Sequence, residues 1–432
     1  MTATRGAGGP IAERPGGRPR TAAGGEPHDG QLSARWPALY VSGEGERRAT
    51  WLELFFDLVF VLAIAELADY LHDHLTLAGV VGFVLLSLPV WLVWSNFSYY
   101  ADLFDVGGPL YRLAMLAAML ASIALAVSIP GALDGSSASF AGAYVALRVL
   151  LVGLYAWAWR RVEEARPVAA PHIAGFLAGA LIWAASLLLG EPARYWAWGL
   201  GLLVELATPV LGQLRVLASA PVQRSHLPER FGLFTIIVLG ESIVVTGLGV
   251  SSTAWAPESV LIGALGFVIV GCLWWLYFDH VLDASAVERA FTNGVRELLA
   301  GFGWAYGHLA IWMALAATAV GIELAISGAT AAALDGGARA VLCGGVAVYL
   351  LAMTALHPLY TQPLSPGVLA ARLGAAAVVV ALAIMGGILA PIAFVGLLAV
   401  ALGGLTALEV EGARRPAASL GNSDPGGGWH QP

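Results

Sequence analysis

An acidic residue stands where a membrane core would surround it. Glu241 is the one charged residue of the apolar run Phe231–Val250. If that run is a helix, Glu241 lies roughly 15 Å from either end at about 1.5 Å per residue. A lone carboxylate in hydrocarbon costs at least about 2.5–3.5 kcal/mol. We therefore expect Glu241 either to bind a proton, cation or polar solute or to be a hydrogen-bonded group that holds helices together.

Two further acids share one face of the first apolar segment. Glu53 and Asp57 are four residues apart, which places them on the same side of a helix. They form either an acidic first turn that complements the helix dipole or the lining of a polar vestibule, for which the deeper Asp57 is the better candidate. Glu66 and Asp69 point roughly the opposite way, as interface groups or as ligands. A helix with acids on several sides is expected inside the bundle.

A deep arginine also needs a partner. Arg148 lies in the middle of an apolar segment, and its guanidinium stays charged in proteins. Glu205 and Glu241 are its candidate partners by depth. Such a pair either meets a water-filled cavity or merely fixes helix packing.

Other polar residues lie at predicted helix ends. Glu229 and Arg230 are typical of a helix start, with the arginine as an anchor at the cytoplasmic face. Asp279 lies at the end of a later segment, and His308 and Glu323 are further polar positions. The candidate binding residues for a substrate or ion are Glu241, Asp57, Glu53, Glu229, Arg148, Glu205, Glu66 and Asp279.

Composition places these residues in a membrane. The 432 residues are 58% hydrophobic and 12% charged, whereas soluble domains average about 25% charged residues. Runs of about 20 apolar residues, the length of a span, predict an all-α, polytopic membrane bundle of about twelve transmembrane helices. The predicted spans are 51–71, 77–100, 110–129, 139–160, 173–189, 195–214, 231–250, 257–279, 301–326, 338–356, 366–385 and 388–408.

Arginines alternate between the connections. One set of connections holds most of them, and the opposite set holds only Arg194 and Arg339. The positive-inside rule then predicts a multi-pass protein of a bacterial cytoplasmic membrane with both termini in the cytoplasm. Both tails have too little apolar sequence to fold. The predicted regions are a disordered tail 1–46, membrane halves 47–220 and 221–410, and a disordered tail 411–432.

The two halves resemble each other in order. WLELFFDLVFVLAIAELADY (51–70) is similar to ERFGLFTIIVLGESIVV (229–245), and WLVWSNFSYYADLFD (91–105) to LWWLYFDHVLD (273–283). The offset of about 180 residues predicts a parallel 6+6 internal repeat, related by an axis along the membrane normal. Chance similarity of short apolar strings is the alternative.

These motifs resemble the bacterial low temperature requirement protein A family over about residues 47–410. The resemblance implies a polytopic membrane protein of a family named for growth in the cold, whose molecular activity is unsettled. No catalytic residue is therefore carried over. The motif acids of the family correspond to Glu53, Asp57, Glu229 and Glu241.

No soluble-enzyme signature occurs in the sequence. Phosphate-binding loops, dinucleotide fingerprints and metal-ligand spacings are absent, so no cofactor or metal is expected. Cys272 and Cys343 lie in apolar runs and are expected to be core thiols. The expected partners are the lipid bilayer and a small solute or ion, with no nucleic acid, and the oligomeric state stays open.

Three functions remain. The leading interpretation is a transporter or permease-like protein whose buried acids bind a proton, cation or polar solute between two halves. An enzyme acting on a lipid or isoprenoid would use the acids for proton transfer. Its aromatic side chains would stabilise cations, although they equally suit an interfacial belt: Trp94, Tyr99, Trp274 and Trp275. In a non-catalytic stress-response membrane protein, the acids would only lock helices.

Overall fold

The chain folds into a bundle of long helices. The computed structural model describes residues 38–39, 50–105, 107–216, 227–279, 294–360 and 364–420. These residues contain twelve α-helices, two 3-10 turns and a two-residue antiparallel ladder between Ala38–Leu39 and Phe104–Asp105. The helices are α1 Trp51–Asp73, α2 Leu77–Leu103, α3 Pro109–Val127, α4 Ser137–Arg161, α5 Arg166–Ser186, α6 Ala193–Val216, α7 Leu227–Ser252, α8 Pro257–Phe278, α9 Val295–Ser327, α10 Gly336–Tyr360, α11 Pro366–Met385 and α12 Pro391–Leu420.

The predicted polytopic helical bundle is confirmed for these residues. Eleven of the described helices are long and apolar enough to cross a membrane, and α1 has the length of a span but carries five acids. It packs against α2, α3, α7 and α9. The expectation that this acidic helix lies inside the bundle is therefore confirmed.

Aromatic rings fill the core between α2, α7 and α9. The fully buried ring of Trp94 meets Trp312 edge to face, with centroids 4.9 Å apart, and packs on Phe231 and Phe234. Trp312 Nε1 donates a hydrogen bond of 2.9 Å to Thr235 Oγ1. Because such rings pack closely edge to face, they fill the space between these three helices.

Small residues let neighbouring helices approach closely in the second half. A Cβ atom at Gly345 of α10 would lie 2.8 Å from the Ala314 carbonyl oxygen of α9. Gly321 of α9 meets Leu342 of α10 just as closely. Close backbone contact of this kind is how helices associate in a membrane, and α9 and α10 are packed together along their length.

Several helices extend beyond their predicted bounds, and α5, α9 and α12 differ most. Helix α5 begins at Arg166 instead of 173, because Pro171 removes one backbone hydrogen bond without ending the helix. Helix α12 continues to Leu420, past the predicted span end at 408 and into the predicted disordered tail 411–432, through residues rich in strong helix formers such as Ala and Glu. The predicted tail 1–46 lies outside the described residues except for Ala38–Leu39, and so do residues 421–432.

The internal repeat stays a prediction. Helix α7 packs on α8 and α9 as α1 packs on α2 and α3, and α9 packs on α10 as α3 packs on α4. This is the order of neighbours that two equivalent halves would have.

Candidate functional site

Four helices, two from each predicted membrane half, line a pocket near one end of the bundle. If each described helix spans the membrane, helices α1, α3, α7 and α9 run in the same direction. We call the end of the bundle that holds their C-termini the distal end. The pocket between them measures about 610 Å³. Asp69, Ile123, Leu248 and Glu323 each lie four residues before the last residue of their helix. The pocket therefore reaches the distal end. Its lining residues are Leu58, Val59, Val61, Leu62, Ala65, Asp69, Ile123, Glu241, Val244, Val245, Leu248 and Glu323.

Glu241 is the deepest acid of this pocket. Its exposed fraction is 8%, and within the described part of the chain its carboxylate has no hydrogen bond or ion pair. It lies about 10 Å deeper than Leu248, because seven residues separate them at about 1.5 Å each. The Glu241 oxygens are not among the fully buried atoms that lack a hydrogen bond, so the carboxylate reaches the open space of the pocket with no protein cation beside it in the described residues.

The charges around Glu241 are mainly negative. Its nearest charged neighbours are the carboxylates of Asp69, which is exposed, and Glu323, which is half-buried. Glu66 lies beside Asp69 at the same end of α1, and His72 faces Glu323. The C-terminal ends of the four helices add partial negative charge. The pocket is therefore electrostatically suited to a cation or a proton.

The rest of the pocket wall is aliphatic and partly faces the membrane. Leu58, Val244 and Leu248 are exposed by 57%, 53% and 64%, respectively. On helices that span a bilayer, such side chains meet lipid. The pocket is therefore open on the side of the bundle as well as toward the distal end.

Asp57 lies outside the pocket, in a buried ion pair. Arg230 Nη2 of α7 donates to Asp57 Oδ1 at 2.5 Å, and Trp94 Nε1 donates to the same oxygen at 2.8 Å. Asp57 and Arg230 are both almost completely buried. Arg230 lies in the first turn of α7 as predicted, but the carboxylate of α1 and the Trp94 ring 5.7 Å away hold its guanidinium inside the bundle.

Glu53 has a local role at the start of α1. Its backbone N–H donates to Thr50 Oγ1 at 3.3 Å, and its carboxylate accepts from the Thr50 N–H at 3.0 Å. This reciprocal pair is a capping box, which satisfies backbone donors that a helix start leaves free. The first-turn interpretation of Glu53 is the one that the structure supports.

Of the two candidate partners that depth predicted for Arg148, the structure selects Glu205 and not Glu241. Arg148 Nη2 lies 2.8 Å from Glu205 Oε2, and both side chains are fully buried. The Tyr144 hydroxyl donates to that carboxylate and accepts from Arg148. Gly179 of α5 makes room, since a Cβ there would lie 2.5 Å from Glu205 Oε1. This cluster joins α4, α5 and α6 and is remote from the pocket lining.

Of the remaining polar residues, Glu229 and Asp279 lie at helix ends and His308 lies inside α9. Glu229 is exposed in the first turn of α7. Asp279 ends α8, where its carboxylate accepts from Trp275 Nε1 at 2.5 Å. Both ring nitrogens of His308 have partners, the Trp304 carbonyl and the Tyr277 hydroxyl, at 2.8 and 3.0 Å. None of these residues lines the pocket.

Several residues of the pocket and of the buried ion pairs were not selected as site residues from sequence. Asp69 was considered as an interface group or a ligand and Glu323 as a polar position, and both line the pocket with Glu241. Their equal distance from the ends of two helices with the same direction was the available signal. Arg372 of α11 donates two hydrogen bonds of 2.7 Å to Glu409 of α12, and an arginine this far inside an apolar run could have been recognised in the same way as Arg148.

Among the described residues there is neither a candidate metal site nor a disulfide. In the described ranges, no group of three or more His, Cys, Asp or Glu residues could hold a metal ion. Cys272 and Cys343 are free and buried, so the prediction of core thiols is confirmed.

Comparison with known proteins places the chain in a family. The family model described as bacterial low temperature requirement A protein (LtrA) matches residues 48–407, so the chain belongs to that family. An uncharacterized protein of Rhizobium meliloti (strain 1021) is 28% identical over 311 residues, which cover 70% of this chain and 75% of that protein. No solved structure matches the chain.

Proposed function

We propose that this low temperature requirement A protein is a transporter or permease-like protein that binds a proton or cation at Glu241. The observation that carries the proposal is a buried carboxylate without a partner, facing a pocket with two other acids. Ionisable groups inside a membrane commonly mark an ion or substrate pathway. The paired acids Asp57 and Glu205 lack this character because an arginine already neutralises each of them.

Movement across the bundle would require the opposite end to open. There Asp57 of α1 is joined to Arg230 of α7, and the ring of Phe60 lies 6.2 Å from that of Phe234. These contacts close the path below Glu241. Transport by alternating access would separate α1 from α7 at this ion pair while the distal end closes.

Uptake into proteoliposomes tests the proposal. Vesicles with the wild-type protein, the Glu241→Gln variant or no protein are given an imposed pH gradient and a panel of labelled inorganic and organic cations. We expect gradient-dependent uptake of at least one cation by the wild type and at least a tenfold loss in Glu241→Gln. Glu258→Gln, which removes an exposed acid outside the pocket at the start of α8, is the matched control. Uptake equal to that of empty vesicles across the whole panel would overturn the proposal.

One observation supports a second candidate function, that of an enzyme acting on a lipid or isoprenoid. The pocket opens toward lipid through exposed aliphatic residues, so a lipid could reach the carboxylates. The aromatic residues suggested for cation stabilisation lie elsewhere, with Trp94 in the core and Trp274 exposed. A lipid species that disappears in a deletion strain and returns with wild type but not with Glu241→Gln would favour the enzyme.

A further inference from the structure

We infer that the ligand of the Glu241 pocket is an amphipathic organic cation, an ammonium group attached to an aliphatic chain, which enters from the bilayer. The inference rests on the proposed function and names its substrate class. It follows from three properties of the pocket: its size, the chemistry of its wall and the depth of its unpartnered acid.

The size of the pocket exceeds what a bare ion needs. Its volume of about 610 Å³ lies within the range of about 300–1,000 Å³ that is usual for sites of small organic molecules. A proton or a dehydrated metal ion would require only a few converging oxygens. In the part of the chain that the structure describes, the three pocket acids do not form a group that could hold a metal ion.

The wall of the pocket favours a ligand with an aliphatic chain. Nine of the lining residues are Ala, Val, Leu or Ile, and none is aromatic. Burying CH₂ groups against such a wall is favourable by about 0.8 kcal/mol each, but only if they leave water. A ligand that arrives from water would gain this free energy of transfer. A ligand already dissolved in lipid would gain mainly close packing against the wall and the ionic contact with the acids.

The route from the bilayer is visible in the exposed lining residues. Leu58 of α1 and Val244 and Leu248 of α7 face outward along one side of the pocket. Between these helices and Ile123 of α3, a chain can remain in contact with lipid while its head group reaches inward. A pocket that ligands enter only from water at the distal end would not need exposed aliphatic residues along its side.

The acids are arranged to receive a positively charged head group. Asp69 and Glu323 lie near the distal end, at the water-facing level, and Glu241 lies about 10 Å deeper at about 1.5 Å rise per residue. An ammonium group at Glu241 would give the buried carboxylate the charge partner that it lacks. Asp69 and Glu323 would attract the same group near the surface of the membrane.

Binding of two labelled probes to the protein in lipid nanodiscs tests the inference. The probes are decyltrimethylammonium and tetramethylammonium, which carry the same permanent charge with and without a long chain. We expect saturable binding of decyltrimethylammonium that is at least tenfold tighter than that of tetramethylammonium. Glu241→Gln should weaken it at least tenfold, and Leu248→Trp, which fills the lateral opening, should weaken it at least threefold.

Matched control variants distinguish an effect on the pocket from a general effect on folding or surface charge. Glu258→Gln removes an exposed acid of α8, and Leu261→Trp adds the same ring to the exposed face of α8, so neither should change binding. Saturable binding of tetramethylammonium alone, lost in Glu241→Gln, would overturn the amphipathic ligand and leave the proposed cation site standing. If neither probe shows binding that depends on Glu241, the amphipathic ligand is overturned, while the uptake experiment with protons and inorganic cations still decides the proposed function.

Discussion

Carboxylates of the same chemistry have different surroundings in this bundle. Asp57 and Glu205 each contact a buried arginine, whereas Glu241 contacts none among the described residues. Neutralised pairs hold helices together, and an acid left without a partner is available for a ligand. The difference in partners, more than the depth in the membrane, separates structural acids from the candidate binding acid.

The Arg148–Glu205 pair should be a structural lock. Removing one partner leaves a buried charge alone, which costs roughly 3–5 kcal/mol, whereas replacing both with apolar residues restores much of the stability. We therefore expect Arg148→Met and Glu205→Leu each to lower the thermal unfolding midpoint in detergent strongly, and the double variant to recover most of the loss. The exposed pair Arg166–Glu163 is the control, since breaking it should cost at most about 1 kcal/mol. Additive losses in the double variant would show that the pair does not act as a unit.

Residue chemistry predicted part of the candidate site. The need to neutralise Arg148 led to two candidate partners of similar depth, Glu205 and Glu241, and the structure pairs Arg148 with Glu205. Arg230 was read as a surface anchor, since its position after a loop gave no sign that Asp57 of a distant helix would meet it. The grouping of Glu241 with Asp69 and Glu323 depends on which helices are neighbours, and spacing within one segment carries no such information.

At the scale of elements, apolar length and composition were sufficient to find the helices. Their ends were harder to predict, as α5 and α12 show, because proline in a helix and helix-forming residues beyond a span do not change hydropathy. The packing of α1 against α3, α7 and α9 creates the pocket, and only the three-dimensional arrangement reveals it.

The contact between α9 and α10 requires glycine at position 345. Gly345→Ala would place a methyl group 2.8 Å from backbone atoms of Ala314 and Thr318, so the helices must shift. We expect a destabilisation of roughly 1–3 kcal/mol, as for other overpacked positions, measured as a lower unfolding midpoint. The neighbouring Gly344→Ala meets nothing within 4 Å and should be neutral or slightly stabilising. Equal effects of the two variants would contradict this packing.

The connection between α5 and α6 should respond to acid. Ser137 Oγ donates to Glu191 Oε1 at 2.5 Å, and this hydrogen bond lowers the pKa of the Glu191 carboxyl. Since the folded pKa lies below the unfolded value of about 4.3, the contribution is present at higher pH and is lost as pH falls through the folded pKa.

Hydrogen exchange at the start of α6 measures this response. The protection factors of amides 193–197, which correct for intrinsic exchange, should fall below about pH 4 in the wild type. Glu191→Gln should show lower protection that no longer varies with pH in this range, while Glu258→Gln should behave as the wild type. An unchanged acid response in Glu191→Gln would exclude the role of this carboxylate.

For the whole molecule, the arginine pattern predicts the orientation. The two arginines of the opposite connections are held by backbone carbonyls: Arg194 donates to Leu189 at 2.9 Å and Arg339 to Leu334 at 2.5 Å. Their local roles explain why they depart from the pattern of the other connections. We expect both termini in the cytoplasm, so a fluorescent protein fused to the C-terminus should fluoresce and a periplasmic phosphatase fused there should be inactive. Phosphatase activity there, with no fluorescence, would reverse the orientation.

The central claim is that Glu241 is a buried carboxylate without a partner, in a pocket open to the side of the bundle. A hydrophobic carbodiimide tests it most directly, because this reagent dissolves in lipid and converts a protonated carboxyl group to a stable N-acylurea that mass spectrometry locates. We predict that Glu241 is the main labelled residue within the membrane, that Glu241→Gln removes this label, and that Asp57 and Glu205 stay unmodified in their ion pairs. Labelling of Asp57 and Glu205 as fast as Glu241, or no labelling of Glu241, would contradict the account.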